Sequence, residues 1–260
     1  MYRSPERERV AILALAVVGY PARGPRELVR SGDDRVSPPT PSGAFGTMTL
    51  ELFETKPQDM PLAEGAVLLG ALARPVDKSL LAALTSIVSV APFRHMLTPG
   101  GRRMSVAMTN CGRVGWVSDC AGYRYADRDP EDGRRWPDMP PAFRDLATLA
   151  AEKAGFPGFS PDACLVNRYD PGARLSLHQD KDERDFDAPI VSVSLGLPAV
   201  FLFGGPRRSD PPGRVPLAHG DVVVWGGPSR LRYHGVLPLK NGVHPLLGAC
   251  RLNLTFRKAL

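Results

Sequence analysis

Between Cys164 and Phe256 the chain breaks into short strand-like runs separated by glycine and proline. The runs are Cys164–Tyr169, Arg174–Asp180, Pro189–Leu195, Val200–Phe203, Asp221–Trp225, Gly235–Leu239 and Arg251–Phe256. None is long enough for a helix of ordinary length, and many short strands with turn signals between them point to a β-sandwich or jelly roll. The last run alternates most cleanly. Arg251, Asn253, Thr255 and Arg257 fall on one face, and Leu252, Leu254 and Phe256 on the other. Two readings are open. It is an edge strand with a solvated polar face, or its apolar face packs outward on a second layer while its arginines line a cavity. A guanidinium in such a cavity offers a planar fork that grips a carboxylate bidentately.

The run Ser176-Leu177-His178-Gln179-Asp180 carries the second constraint. Side chains alternate along a strand, which puts Ser176, His178 and Asp180 on one face. A histidine and a carboxylate so placed, with one distant histidine, make the 2-His-1-carboxylate triad of non-haem Fe(II) oxygenases. The chain has five histidines. His234, which follows the Asp221–Trp225 run and a Gly226-Gly227-Pro228 turn, is the best-placed third ligand. A rival pair, His219-Gly220-Asp221, is centred on glycine at the mouth of a strand and reads as a turn. Alternation favours 178/180, although any single His-x-Asp is also found as a surface histidine beside an acid.

The constellation His178-x-Asp180, His234 and Arg251-x5-Arg257 resembles that of the AlkB family, the Fe(II)/2-oxoglutarate dioxygenases that demethylate nucleic-acid bases. The likeness extends through residues 165–183, 189–198 and 219–227 to the final strand, and runs from about Met48 to Arg257. It implies an α+β, mostly β fold: a double-stranded β-helix (jelly roll) core over about residues 160–260, flanking helices, and an N-terminal nucleotide-recognition lid over about 98–126. It implies Fe(II) on His178, Asp180 and His234, with dioxygen and 2-oxoglutarate as cosubstrates. The 2-oxoglutarate pocket would comprise Asn167, Tyr169, Arg251, Asn253 and Arg257. Substrate contacts would fall on Trp116, Tyr123, Met108, Thr98, Asp182, Glu183, Arg174 and Arg208. Trp116 would stack on an extruded base, which enzymes acting on a base within a duplex must flip out. Asp182 would attract the positive charge of a base methylated at N1 of adenine or N3 of cytosine. The sequence departs from the family pattern at Arg174, where lysine is usual, at Asp119-Cys120, and at Arg102, where an aromatic is found.

The implied activity is oxidative demethylation of alkylated DNA, single strands preferred, by a cytoplasmic monomer that does not engage a membrane. Competing readings are an RNA demethylase, a dioxygenase of protein side chains, and a non-enzymatic nucleic-acid-binding module. The complete triad with both arginines argues against the module. Net charge of +6 suits an anionic partner. Cys111, Cys120, Cys164 and Cys250 show no paired spacing, which reads as free thiols in a reducing compartment.

Upstream, Ala66–Leu69 suggests a strand, and Pro75–Val90 and Pro141–Gly155 suggest helices with one apolar face. Ser105–Asn110 and Gly112–Val117 read as strands of a small lobe. Residues 1–47 read differently. Arg3, Arg7 and Arg9 precede an apolar run, Val10–Val18, that loosely resembles a secretory leader, but Glu6, Glu8 and the lack of an A-x-A site argue against export. An extension ending in a Pro/Gly/Ser-rich linker is expected, or a true start at Met48.

Overall fold

The computed structural model describes residues 58–260; the expectations for residues 1–47 lie outside them. Three antiparallel sheets organise the chain. The first strands are β1 (Met60–Ala63) and β2 (Ala66–Leu69), followed by helix α1 (Asp77–Val90). Next come β3 (Ala107–Gly112), the hairpin β4 (Gly115–Asp119) and β5 (Gly122–Ala126), and helix α2 (Pro141–Lys153). The C-terminal part holds β6 (Ala163–Tyr169), β7 (Leu175–His178), β8 (Ile190–Gly196), β9 (Ala199–Phe203) and β10 (Gly213–Leu217). It closes with β11 (Val222–Trp225), β12 (His234–Val236) and β13 (Arg251–Arg257). A seven-stranded sheet runs β1-β2-β11-β8-β13-β6-β3, and a four-stranded sheet runs β10-β9-β12-β7. This is the mostly β, jelly-roll arrangement with flanking helices.

Alternation along β8 and β13 decides the layering. Val191, Val193, Leu195, Leu252, Leu254 and Phe256 face Leu80, Leu81 and Leu84 of α1 and Phe143, Leu146 and Ala150 of α2 in one buried cluster. The opposite faces of the sheets meet in a second cluster, where Leu165, Tyr169, Val223 and Trp225 pack on Phe201, Phe203, Val215 and Val236. The polar face of β13 therefore looks into the space between the sheets. Arg251, Asn253, Thr255 and Arg257 are all buried, so β13 is a central strand and not a solvated edge.

The structure differs from the sequence reading in four places. Strands β1 and β10 were not expected because each contains a proline, Pro61 and Pro216. Both lie at sheet edges, where a missing N–H costs no ladder bond. Strand β3 is not part of a separate lobe; it pairs with β6 at the margin of the large sheet, and only β4–β5 stands apart. The expected strand Gly235–Leu239 is instead His234–Val236. The run Arg174–Asp180 is a strand only over Leu175–His178, so alternation alone does not place Asp180.

Candidate active site

Strand pairing brings the two histidines together. His234 of β12 stands directly opposite His178 of β7, with ring centroids 4.4 Å apart. Gly235 permits the approach, since a Cβ there would lie 2.8 Å from the Leu175 carbonyl oxygen. Each imidazole is oriented by its own backbone: Nδ1 of His178 donates to the Ser176 carbonyl (2.8 Å) and Nδ1 of His234 to that of Arg232 (3.1 Å). Both Nε2 atoms are thereby left as lone-pair donors, as in metal-binding imidazoles whose other ring N–H is held by a carbonyl.

Asp180 reaches the histidines from beyond the end of β7. Its side chain is fixed by Arg257, whose Nε and Nη2 donate to Oδ2 at 2.9 and 2.6 Å. Arg230 Nη1 holds its backbone carbonyl at 2.8 Å. The carboxylate then stands 3.7 Å from His178 Nε2 and 3.8 Å from His234 Nε2, and ligand atoms of the three residues lie within 4.8 Å of one another. Burial alone would raise the Asp180 carboxyl; Arg257 and the two imidazoles overcome it and hold the group well below the usual carboxylate range. Burial, then the neighbouring His178, lowers His234 to about 4. Both groups are thus in the deprotonated form a metal ion needs, and two nitrogens with one carboxylate suit Fe(II).

The rival pair has no ligand atoms to offer. His219 Nδ1 accepts from the Gly196 N–H (2.9 Å), and Nε2 lies 3.0 Å from Asp77 Oδ2. Asp221 accepts from the Ala71 and Ala218 N–H groups at 2.9 and 2.7 Å. Gly220 turns the chain at φ 92° against Arg74. This segment locks a turn to the start of α1.

Beside the triad, Arg251 is 1% exposed. Its Nε donates to Ser194 Oγ (3.0 Å) and its guanidinium lies 4.9 Å from the centre of the Tyr169 ring. Arg251 Nη1, the Tyr169 hydroxyl and Asn167 Oδ1 are buried without a hydrogen bond of good geometry. Unpaired buried polar groups are rare and ask for a partner. A carboxylate facing Arg251 and Tyr169 satisfies both donors, so these residues fit a dicarboxylate cosubstrate. Asn253 is held by Ser192 and Val193, and bridges to Asn167 and Thr255.

One cavity of about 700 Å³ joins these parts. Its walls include the triad, Asn167, Tyr169, Arg251, Asn253 and Arg257, together with Thr98, Met108, Trp116, Tyr123, Arg174, Asp182 and Arg208. Trp116 and Tyr123 stack with centroids 5.5 Å apart and planes at 13°, and the Trp116 indole N–H donates to Asp182 at 2.8 Å. Of the residues expected to touch substrate, Glu183 alone is not brought there. It is buried outside the cavity walls, bonded to Tyr125 and Arg230 and close to Arg257. A carboxylate following Asp182 by one position points away from the cavity into the protein.

Sequence reasoning missed Ser192, Ser194, Arg230 and Tyr125. The two serines break the apolar run of β8 at alternate positions, the signal of a polar inward face. Arg230 lies in a turn and gives no such signal.

Facing antiparallel sheets that carry a His-x-Asp and a distant histidine, with a buried arginine beside them, define a non-haem Fe(II) oxygenase of the 2-oxoglutarate type. Residues 57–257 match the family described as the 2OG-Fe(II) oxygenase superfamily. Over 211 residues the chain is 58% identical to "Alpha-ketoglutarate-dependent dioxygenase AlkB" of Escherichia coli (strain K12), covering 81% of this chain and 98% of that one. It is 37% identical over 161 residues to "DNA N(6)-methyladenine demethylase ALKBH1C" of Arabidopsis thaliana, 52% of this chain and 35% of that protein. The solved structure of OsALKBH1 superposes with a TM-score of 0.68 at 31% identity, over 77% of this chain and all of that one. The chain belongs to the AlkB family of 2OG-Fe(II) dioxygenases.

Proposed function

We propose that this enzyme oxidatively demethylates N-alkylated bases, of the 1-methyladenine and 3-methylcytosine type, in DNA, with single strands preferred. The observation that carries the reading is that one cavity is lined by the metal triad, a stacked aromatic pair and the Asp182 carboxylate. Fe(II), 2-oxoglutarate and dioxygen supply the oxidising chemistry that hydroxylates an N-methyl group, released as formaldehyde, with succinate and carbon dioxide as the other products. His178, Asp180 and His234 hold the metal, and Arg251 with Tyr169 receives the far carboxylate of 2-oxoglutarate. Trp116 and Tyr123 offer a π-surface to an extruded base, and stacking of this kind is tolerant of base identity. Asp182 favours a base carrying positive charge over its neutral parent. Arg174 and Arg208 at the rim suit backbone phosphates, which position the strand without reading sequence.

The four free cysteines suit a reducing compartment such as the cytoplasm, and among the described residues no helix is long and apolar enough to cross a membrane. The test is product analysis by mass spectrometry of oligonucleotides carrying 1-methyladenine or 3-methylcytosine, as single-stranded DNA, duplex DNA and RNA, with Fe(II) and with or without 2-oxoglutarate. Loss of the methyl group with matching formaldehyde, dependent on 2-oxoglutarate and fastest on single-stranded DNA, is expected. Turnover of RNA alone would move the substrate assignment, and turnover of neither would overturn it.

A further inference from the structure

Behind the metal carboxylate lies a buried charge cluster in which Glu183 and Arg230 line no part of the cavity. Asp180 and Glu183 face Arg257 and Arg230, and all four are buried. Arg257 binds Asp180 Oδ2 and lies 3.4 Å from Glu183 Oε1. Arg230 donates to Glu183 Oε2 at 3.0 Å and to the Asp180 carbonyl at 2.8 Å. Two acids and two arginines balance, and removing any one charge would strand another in the interior. The segment from Asp180 to Glu183 is therefore pinned at both ends by Arg257 and Arg230.

The β4–β5 hairpin attaches to this segment at two neighbouring points. Trp116 bonds to Asp182, and the Tyr125 hydroxyl donates to Glu183 Oε1 at 2.6 Å. Trp116 and Tyr125 are direct partners across the hairpin, so one face of it carries both anchors. A cationic base that engages Asp182 competes with the Trp116 bond. The Tyr125–Glu183 bond then remains as the tether.

We propose, resting on the function given above, that Tyr125 is a positioning residue that keeps the base-stacking hairpin in register with the metal carboxylate, acting on Asp180 through Glu183 and Arg257. The consequence is thermodynamic. Filling the hairpin with a methylated strand changes metal affinity, and metal changes strand affinity by the same factor.

The test measures that factor directly with Mn(II), which binds such triads without turnover. Calorimetric titration of Mn(II) at saturating 2-oxoglutarate is done with and without a 3-methylcytosine oligonucleotide, on the wild type and on Tyr125→Phe. The oligonucleotide is expected to tighten Mn(II) binding to the wild type by about fivefold or more. Tyr125→Phe should still bind each partner separately, with that factor reduced nearly to unity. An equal factor in both proteins, or none in the wild type despite binding of both partners, overturns the proposal. Failure of the oligonucleotide to bind the wild type at all would instead bring down the functional reading beneath it. Should Tyr125→Phe not fold, hydrogen exchange on the wild type serves. Mn(II) with 2-oxoglutarate should slow exchange across Gly122–Ala126, and an unchanged rate there overturns the proposal.

Discussion

Arg251→Lys tests the cosubstrate pocket most sharply. The guanidinium is fully enclosed, spends Nε on Ser194, and keeps Nη1 without a protein partner. Burial lowers its pKa, yet arginine begins so high that it stays charged. Lysine keeps the charge but replaces a planar fork with a point donor, and the second arm of any bidentate grip is lost. A hydrogen bond between charged groups contributes about 1.5–3 kcal/mol. At about 1.4 kcal/mol per factor of ten, the Michaelis constant for 2-oxoglutarate should rise by roughly 10- to 150-fold. The assay is succinate formation against 2-oxoglutarate concentration at fixed methylated oligonucleotide, with circular dichroism confirming the fold. A Michaelis constant unchanged from the wild type would show that the dicarboxylate is held elsewhere, and would refute the reasoning from the unpaired Nη1.

Trp116→Ala should weaken oligonucleotide binding by about 1–3 kcal/mol while leaving substrate-independent 2-oxoglutarate decarboxylation intact; fluorescence anisotropy and succinate assays decide, and equal loss of both would mark a structural residue. Gly235→Ala should drive β12 away from β7, because the new Cβ meets backbone at 2.8 Å; overpacking costs about 1–3 kcal/mol, and Mn(II) affinity equal to wild type would contradict it. The buried His234 titrates at about 4 against an ordinary 6.5. Between those values the unfolded chain binds a proton that the native metal-free protein does not. Stability is therefore full above pH 6.5 and lost as pH falls towards 4. The loss from this group is roughly 3 kcal/mol. Urea unfolding with a chelator should show a slope across that window that His234→Gln flattens, and identical slopes would remove His234 as its source.

Where side-chain alternation governs, the sequence was a sufficient guide. The β13 pattern put Arg251 and Leu252 on opposite faces and left open whether the polar face met solvent or a cavity, which burial between the sheets decides; the glycine of His219-Gly220-Asp221 correctly marked a turn. Asp180 shows the limit of that logic. It sits beyond the last residue of β7, and its position is set by Arg257 and Arg230, residues 77 and 50 positions away in the chain. Glu183 was misjudged for the same reason, because its direction depends on the long-range partners Tyr125 and Arg230. Prolines at 61 and 216 concealed edge strands, since proline argues against a strand only where its N–H would be needed. Contacts across the β4–β5 hairpin had no local signature at all.

The claim on which everything else rests is that His178, Asp180 and His234 hold Fe(II) while His219 and Asp221 do not. It is tested by anaerobic titration with Fe(II) at saturating 2-oxoglutarate, following the weak visible absorption of the Fe(II)–2-oxoglutarate chelate on folded protein. His178→Ala should abolish the band. His219→Ala gives up the bonds to Gly196 and Asp77, and should unfold more readily yet form the band in full on its folded fraction. A band that survives His178→Ala and disappears in His219→Ala would contradict the assignment.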